Sequence, residues 1–379
     1  MGFISEWKTL EKIKKLINKE CFIVFYAENK ASMNHFRLLL VELTQIRNLQ
    51  ICYVTSIKDD PIFSLKNKNI FAFYIGDGMA RTKFFLTLKA KILIMDMPDL
   101  ETFHIKRSKV YPVHYIYIFH SMFSIHSYLR KGAIDNYDTI FCVGDHHEKE
   151  IRETEKIYQL KPKKLIKYGF GRLDTLLNEK EKFQQMNIKT ENLIIISPSY
   201  GNDNLLNICG IELIEILLKM NFKVLLRPHF LILKNSNELI RKIQLKFGNN
   251  PNFILEKGII PPNKFHNSMC MISDWSGISL EYAFTFERPV IFIDVPKKIL
   301  NQNSEDISLK PMEISIREKI GFVVSPNNLG IIPQIIENIF NNNPLKEQIK
   351  KIRSETVYNI GKSAIIGADV IEKIYKDLK

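Results

Sequence analysis

Cysteine is scarce in this chain and scattered. There are five (Cys21, Cys52, Cys142, Cys209 and Cys270), odd in number, far apart and mostly inside apolar runs. That pattern excludes a disulfide framework and offers no metal-ligand spacing, so reduced, buried thiols are expected. Long apolar runs are missing too: no stretch approaches the roughly 20 residues that cross a bilayer. The opening MGFISEWKTLEKIKKLINKE lacks the uninterrupted apolar core of a signal peptide. The expectation is a soluble or peripheral protein inside the cell, cytoplasmic or on the cytoplasmic face of the membrane. Internal repeats, low-complexity tracts, a Walker loop and a full G-x-G-x-x-G fingerprint are all absent.

What is present is a chain of 379 residues, 45% hydrophobic and 25% charged, with a net charge of +13. At roughly 100–200 residues per domain, two domains are expected, each able to bury its own core. The basic excess favours anionic partners: nucleotides, phosphate polymers or an anionic membrane surface. Nucleic acid is not expected, because no reader motif or aromatic–basic alternation accompanies the charge.

Short runs rich in Ile, Val and Phe alternate with helical patterns. Strands are predicted at Cys21–Ala27, Gln50–Thr55, Ile70–Ile75, Ile92–Met95, Tyr115–Phe119, Thr139–Val143 and Leu165–Tyr168. A second series follows at Leu193–Ser197, Lys223–Leu226, Asn252–Leu255, Cys270–Ser273, Val290–Ile293 and Phe322–Ser325. Apolar runs of this length without polar alternation suit strands covered on both faces, as in parallel sheets. The fold class is therefore α/β, with two Rossmann-like domains facing across a cleft. The predicted division is 1–180, 190–350 and a C-terminal helical segment 351–379, with an approximate linker in Asn178–Asn192. The first helix pattern puts Trp7, Leu10, Ile13, Leu16 and Ile17 on one face and Lys8, Lys12, Lys15 and Lys19 elsewhere. Such a helix can lie on an anionic membrane. Packing on its own domain, with the lysines in solvent, explains the same letters and is preferred.

Three places carry chemistry. Cys270–Ser273 runs into Asp274-Trp275-Ser276-Gly277 and then a helix, and a helix N-terminus with its unpaired N–H groups suits a phosphate. Ser276 offers a hydroxyl, Gly277 allows close approach, and Glu281 one turn on can accept from ribose hydroxyls; ordinary N-capping by Ser or Asp is the competing explanation. Phe222–Phe230 ends a strand in Arg227-Pro228-His229, where Arg227 suits a diphosphate and His229 can donate to an oxyanion. His120, directly after an apolar strand, is a candidate base toward an acceptor hydroxyl, with Ser121 beside it. His126, and the pair His146 and His147, read as structural, since adjacent residues on a helix do not face one another and no third ligand is evident. No metal and no cofactor are expected. Weaker loop signals at strand ends are Gly76-Asp77-Gly78, Gly169-Phe170-Gly171-Arg172 with Asp174, and Ser197-Pro198-Ser199-Tyr200-Gly201.

Together these pieces resemble the CDP-glycerol glycerophosphotransferase family of teichoic-acid and capsule synthesis, in order from about Phe22 to Pro326. Phe119-His120-Ser121 stands where the family has Trp-His-Gly, and Gly169–Asp174 looks like its Gly-Tyr-Pro-Arg-Asn-Asp. Pro198–Gly201 resembles its Pro-Thr-Trp-Arg, Arg-Pro-His is intact at Arg227–His229, and the family's Asp-Tyr-Ser-Ser becomes Asp274-Trp275-Ser276-Gly277. The resemblance implies a glycosyltransferase-B fold, with acceptor mainly on the first domain and nucleotide on the second. It implies His120 as base, Arg227 and His229 on the diphosphate, and Ser273, Asp274 and Ser276 lining the phosphate loop. Ser199 would join the donor side; Gly76, Asp77, Ser121, Gly171 and Arg172 would line the acceptor side. The expected reaction moves glycerol phosphate from a cytidine-nucleotide donor to a hydroxyl of a surface polymer or lipid-linked glycan, releasing CMP. A glycosyltransferase using a nucleotide sugar, such as a CMP-activated acidic sugar, and a non-catalytic nucleotide-binding scaffold remain open alternatives.

Overall fold

A computed structural model describes residues 2–18, 22–186, 191–235, 237–258 and 260–378. Cys21, Lys19 and part of the predicted linker lie outside the described residues. The contacts divide the chain into two compact units. The first comprises Met1–Thr175, Asn301–Leu309 and Thr356–Lys379, and the second Leu176–Leu300 and Lys310–Glu355.

In the first unit the strands are β1 (Ile23–Ala27), β2 (Ile51–Thr55), β3 (Ile70–Tyr74), β4 (Ile92–Met95), β5 (His114–Ile118), β6 (Thr139–Cys142) and β7 (Lys164–Lys167). They form one sheet in the order β3-β2-β1-β4-β5-β6-β7, every pair parallel. Register places Phe25 beside Tyr53 on one side and Ile94 on the other. The five central strands are buried almost throughout, which is why they read as continuous apolar runs, while β3 and β7 at the edges are half-exposed. The helix Gly2–Ile17 packs here with Leu10, Ile13 and Ile17 buried and Lys8, Lys12 and Lys15 exposed. Its apolar face is thus covered by its own unit.

The last stretch of chain, read from the sequence as a segment of its own, is divided between the units. The helix Lys346–Thr356 belongs to the second up to Glu355, whereas Ser363–Asp377 returns to the first. There Ala368, Ile371 and Ile374 join the core formed by Phe25, Phe36, Leu39 and Phe141. Two glycines make the crossing possible. A Cβ at Gly144 would lie 1.8 Å from the Thr356 carbonyl oxygen, and one at Gly169, whose φ is +101°, would lie 2.3 Å from that of Tyr358. Only glycine admits both the close approach and the positive φ.

The second unit repeats the plan with β8 (Leu193–Ser197), β9 (Lys223–Leu226), β10 (Phe253–Leu255), β11 (Cys270–Ser273), β12 (Val290–Ile293) and β13 (Gly321–Val324). The order is β10-β9-β8-β11-β12-β13, again all parallel. In both sheets the chain reverses its direction of travel beside the first strand, between β1 and β4 and between β8 and β11. The carboxyl ends of strands at such a reversal are where open α/β sheets bind ligands.

Candidate functional site

In the first unit the reversal point gathers polar groups onto an apolar sheet. Asp96 follows β4 directly, is buried, and accepts from Ser32 Oγ at 2.9 Å. Burial pushes its carboxyl up to about 7. His120 follows β5 two residues on, and its Nδ1 lies 3.1 Å from the Asp96 carbonyl oxygen. A carbonyl only accepts, so Nδ1 carries the proton and Nε2 is the lone-pair nitrogen. Tyr128 Oη stands 2.8 Å from that Nε2 and is therefore the donor to it. Desolvation lowers the His120 pKa, with the Asp96 carbonyl opposing the shift, which favours the neutral ring that a base requires.

Two further groups complete this cluster. The His35 ring, on the helix Ser32–Val41, lies 6.4 Å from the His120 ring and 5.7 Å from that of Phe170. Burial holds His35 well below its ordinary value, and the charges of His120 and Arg172 add to the effect. Arg172 therefore lies within electrostatic reach of His35. His35 has no motif around it and escaped sequence reading. Gly171 sits under the same helix, 3.2 Å from the His35 carbonyl oxygen by its virtual Cβ.

The loop that carries Ser121 is pinned from the next strand connection. His146 Nε2 donates to Met122 O at 2.9 Å and His147 Nε2 to Phe123 O at 2.9 Å. Glu150 Oε2 accepts from the Ile125 N–H at 2.5 Å and lies 3.1 Å from His126 Nδ1, so it caps the short helix Ile125–Tyr128 that delivers Tyr128. These three histidines hold backbone and a carboxylate, and among the described residues no group of three or more His, Cys, Asp or Glu is placed to hold a metal ion. Gly76 and Asp77 end the edge strand β3, two strands from the reversal, with Glu6 of the first helix packed against Gly76. Asp174 accepts from Gly361 N (2.7 Å), Ser363 N (3.1 Å) and Ser363 Oγ (2.5 Å), anchoring the C-terminal helix.

In the second unit the polar groups again stand at consecutive strand ends. Asp274, after β11, is buried, and its two oxygens accept from Ser199 N (2.7 Å) and Leu205 N (2.9 Å). Ser273 Oγ donates to Ser197 O at 2.7 Å. Ser273 and Asp274, expected to line a phosphate loop, are turned toward the protein and shape the loop from behind. Because Asp274 is engaged there, the helix Ile278–Phe286 starts at Gly277 with no side-chain cap. No cap bond is made at Gly277, and Ser276 and Gly277 are half-buried at a helix start whose first N–H groups have no intrahelical partner.

Beside that helix start, Arg227 and His229 emerge from β9. Arg227 is half-buried; desolvation lowers its pKa, while Glu281 and Glu256 oppose the shift. Glu281 is thus close to Arg227, on the first turns of the helix. His229 Nδ1 accepts from Leu231 N at 3.2 Å, so its Nε2 carries the proton and can donate while the ring is neutral. Burial, Arg227 and Lys298 together push His229 down to about 4. Its ring packs at 4.8 Å on Tyr200, and Lys298 Nζ lies 2.9 Å from the Tyr200 ring centre. Lys298 was not singled out in the sequence.

Two doubly wound α/β units of this kind are the glycosyltransferase-B-like architecture. The family model for CDP-glycerol:poly(glycerophosphate) glycerophosphotransferase matches residues 10–299, and the chain belongs to that family. Among solved structures it resembles the wall teichoic acid polymerase TagF (TM-score 0.62, 13% identity, 99% of each chain covered). It also resembles a UDP-N-acetylglucosamine 2-epimerase from Neisseria meningitidis (TM-score 0.55, 14% identity, 93% of this chain and 99% of that one). A third likeness is a putative enzyme of that name from Listeria monocytogenes (0.59, 12%, 94% and 97%). No curated protein sequence matches it. The protein is a transferase of the glycerophosphotransferase class, and no helix among the described residues is long and apolar enough to cross a membrane.

Proposed function

We propose that the protein transfers glycerol phosphate from CDP-glycerol to a hydroxyl of a poly(glycerophosphate)-type surface polymer or lipid-linked chain, releasing CMP. The observation that carries the reading is the convergence, within the second unit, of Arg227, His229 and a helix N-terminus at the ends of β9 and β11, the two strands that flank β8. Such a set suits a diphosphate, whose charge it meets without a metal. Glu281, close to Arg227, is assigned to accept from the nucleoside's ribose hydroxyls.

The acceptor oxygen attacks the glycerol-bearing phosphorus, the bond to the CMP oxygen breaks, and CMP leaves with its electron pair. His120 Nε2 takes the hydroxyl proton, its Nδ1–H being fixed on Asp96 O. Arg172 and His35 line the acceptor's approach on the first unit, with Ser121 and Gly171 beside them. The exposed Lys8, Lys12 and Lys15, together with the net charge of +13, support approach to an anionic polymer and to an anionic membrane face.

Product analysis tests this. Incubation with CDP-glycerol and a glycerophosphate primer should yield CMP and a new phosphodiester in equal amounts, read by phosphorus NMR. A glycosidic product from a nucleotide sugar, with CDP-glycerol left intact, would reject the proposal.

A further inference from the structure

The loops after β9, β8, β11 and β12, which are adjacent in the second sheet, each bring one group to the same place. They are His229, Tyr200, the Asp274–Gly277 turn and Lys298. Lys298 Nζ lies over the Tyr200 ring at 2.9 Å, and Tyr200 in turn packs on His229 at 4.8 Å. Among the described residues no ion pair is formed by Lys298, so its ammonium is not already held by a carboxylate. Resting on the donor reading above, we infer that Lys298 is a second cation of the donor-diphosphate site beside Arg227, presented by the Tyr200 face.

The surrounding charges agree. Arg227 and His229 face the same region, and both Arg227 and Lys298 depress His229. The carboxylate that acts on Lys298 is Asp274, whose oxygens are already held by Ser199 and Leu205 N–H groups. Glu281 and Glu256 act on Arg227. Asp294 is paired with Arg317 at 3.2 Å, and Arg317 lies over the Trp275 ring at 4.1 Å. Desolvation brings the Lys298 ammonium down to about 7, with Asp274 opposing. Without an anion, then, Arg227, the neutral His229 ring and Lys298 converge in a half-buried place, and Lys298 is partly deprotonated at neutral pH. A diphosphate placed there favours the charged form, so binding should draw a proton from solvent onto Nζ.

Calorimetric titration of the full chain with CDP-glycerol, without acceptor, tests this. Each phosphate of that probe carries one ester and one anhydride bond, so only strongly acidic hydroxyls remain and neither titrates near neutrality. At about pH 7.5, in buffers of different ionisation enthalpy, wild type should take up a fraction of a proton, and affinity should fall as pH rises toward 8.5. His229, held near 4, stays neutral over that range. Lys298→Arg should bind without proton uptake and with a flatter pH dependence. Lys298→Met, which keeps the apolar stem, should lose affinity about tenfold, the size of one charge-assisted hydrogen bond. If wild type binds while Lys298→Met shows wild-type affinity and uptake, the Lys298 assignment is wrong and the donor site stands. If wild type does not bind CDP-glycerol at all, the donor reading falls and takes this inference with it.

Discussion

The Nδ1 of His120 stands 3.1 Å from the carbonyl oxygen of Asp96, and that contact decides which imidazole nitrogen can act. With the proton fixed on Nδ1, Nε2 is the basic position, and Tyr128 Oη donates to it at 2.8 Å. The orientation is set by backbone rather than by a carboxylate. The ring is therefore held in its tautomer without an anion that would raise its pKa.

The pH profile of transfer should reflect this. Desolvation places the His120 pKa below the ordinary 6.5, and the neutral form is the active one. The acid limb of kcat/KM should therefore lie below pH 6.5, with rate rising as pH rises through it. Tyr128→Phe removes a hydrogen bond that favours the neutral ring, so the limb should move to higher pH while donor KM stays unchanged. A limb that does not move would separate Tyr128 from His120.

Asp96 makes a stability prediction of opposite sign to the usual carboxylate. Its folded-state value of about 7 lies above the ordinary 3.8, so the folded state holds the proton more tightly. The resulting stability is fully present below the unfolded value and is lost as pH rises through about 7. Asp96→Asn should flatten this dependence, measured as denaturant midpoints at about pH 4.5 and pH 7.5.

Asp274→Ala should destabilise the second unit by about 2–4 kcal/mol, because two buried N–H groups lose their acceptor. Hydrogen exchange at the Ser199 and Leu205 amides should accelerate before exchange elsewhere in that unit.

Cytidine nucleotides should raise the thermal midpoint of wild type, by mass action on the folded state. Arg227→Ala should abolish most of the effect and His229→Ala should weaken it, with both apo midpoints near wild type. A panel in which UDP and GDP stabilise equally would argue against cytidine selectivity.

The strands were legible because a parallel sheet covered on both faces leaves unbroken apolar runs. All thirteen predicted strands are present, most shifted by no more than a residue or two at an end. Arg227 and His229 were legible because Pro228 ends a strand beside them. Lys298 and His35 were not. Lys298 follows β12 in an irregular stretch, and its place over Tyr200 depends on a partner almost a hundred residues away. His35 sits inside an ordinary amphipathic helix. Ser273 and Asp274 were legible as a loop, but their direction was not, since that depends on which N–H groups the neighbouring β8 loop turns toward them.

The most direct test of the account is His120→Gln, assayed for both CDP-glycerol binding and glycerol phosphate transfer. Binding should stay within about twofold of wild type, because the donor groups belong to the second unit. Turnover should fall by about 10²–10⁴-fold, the usual contribution of a positioned base. Near-normal turnover in a correctly folded variant would contradict the assignment of His120 as the base.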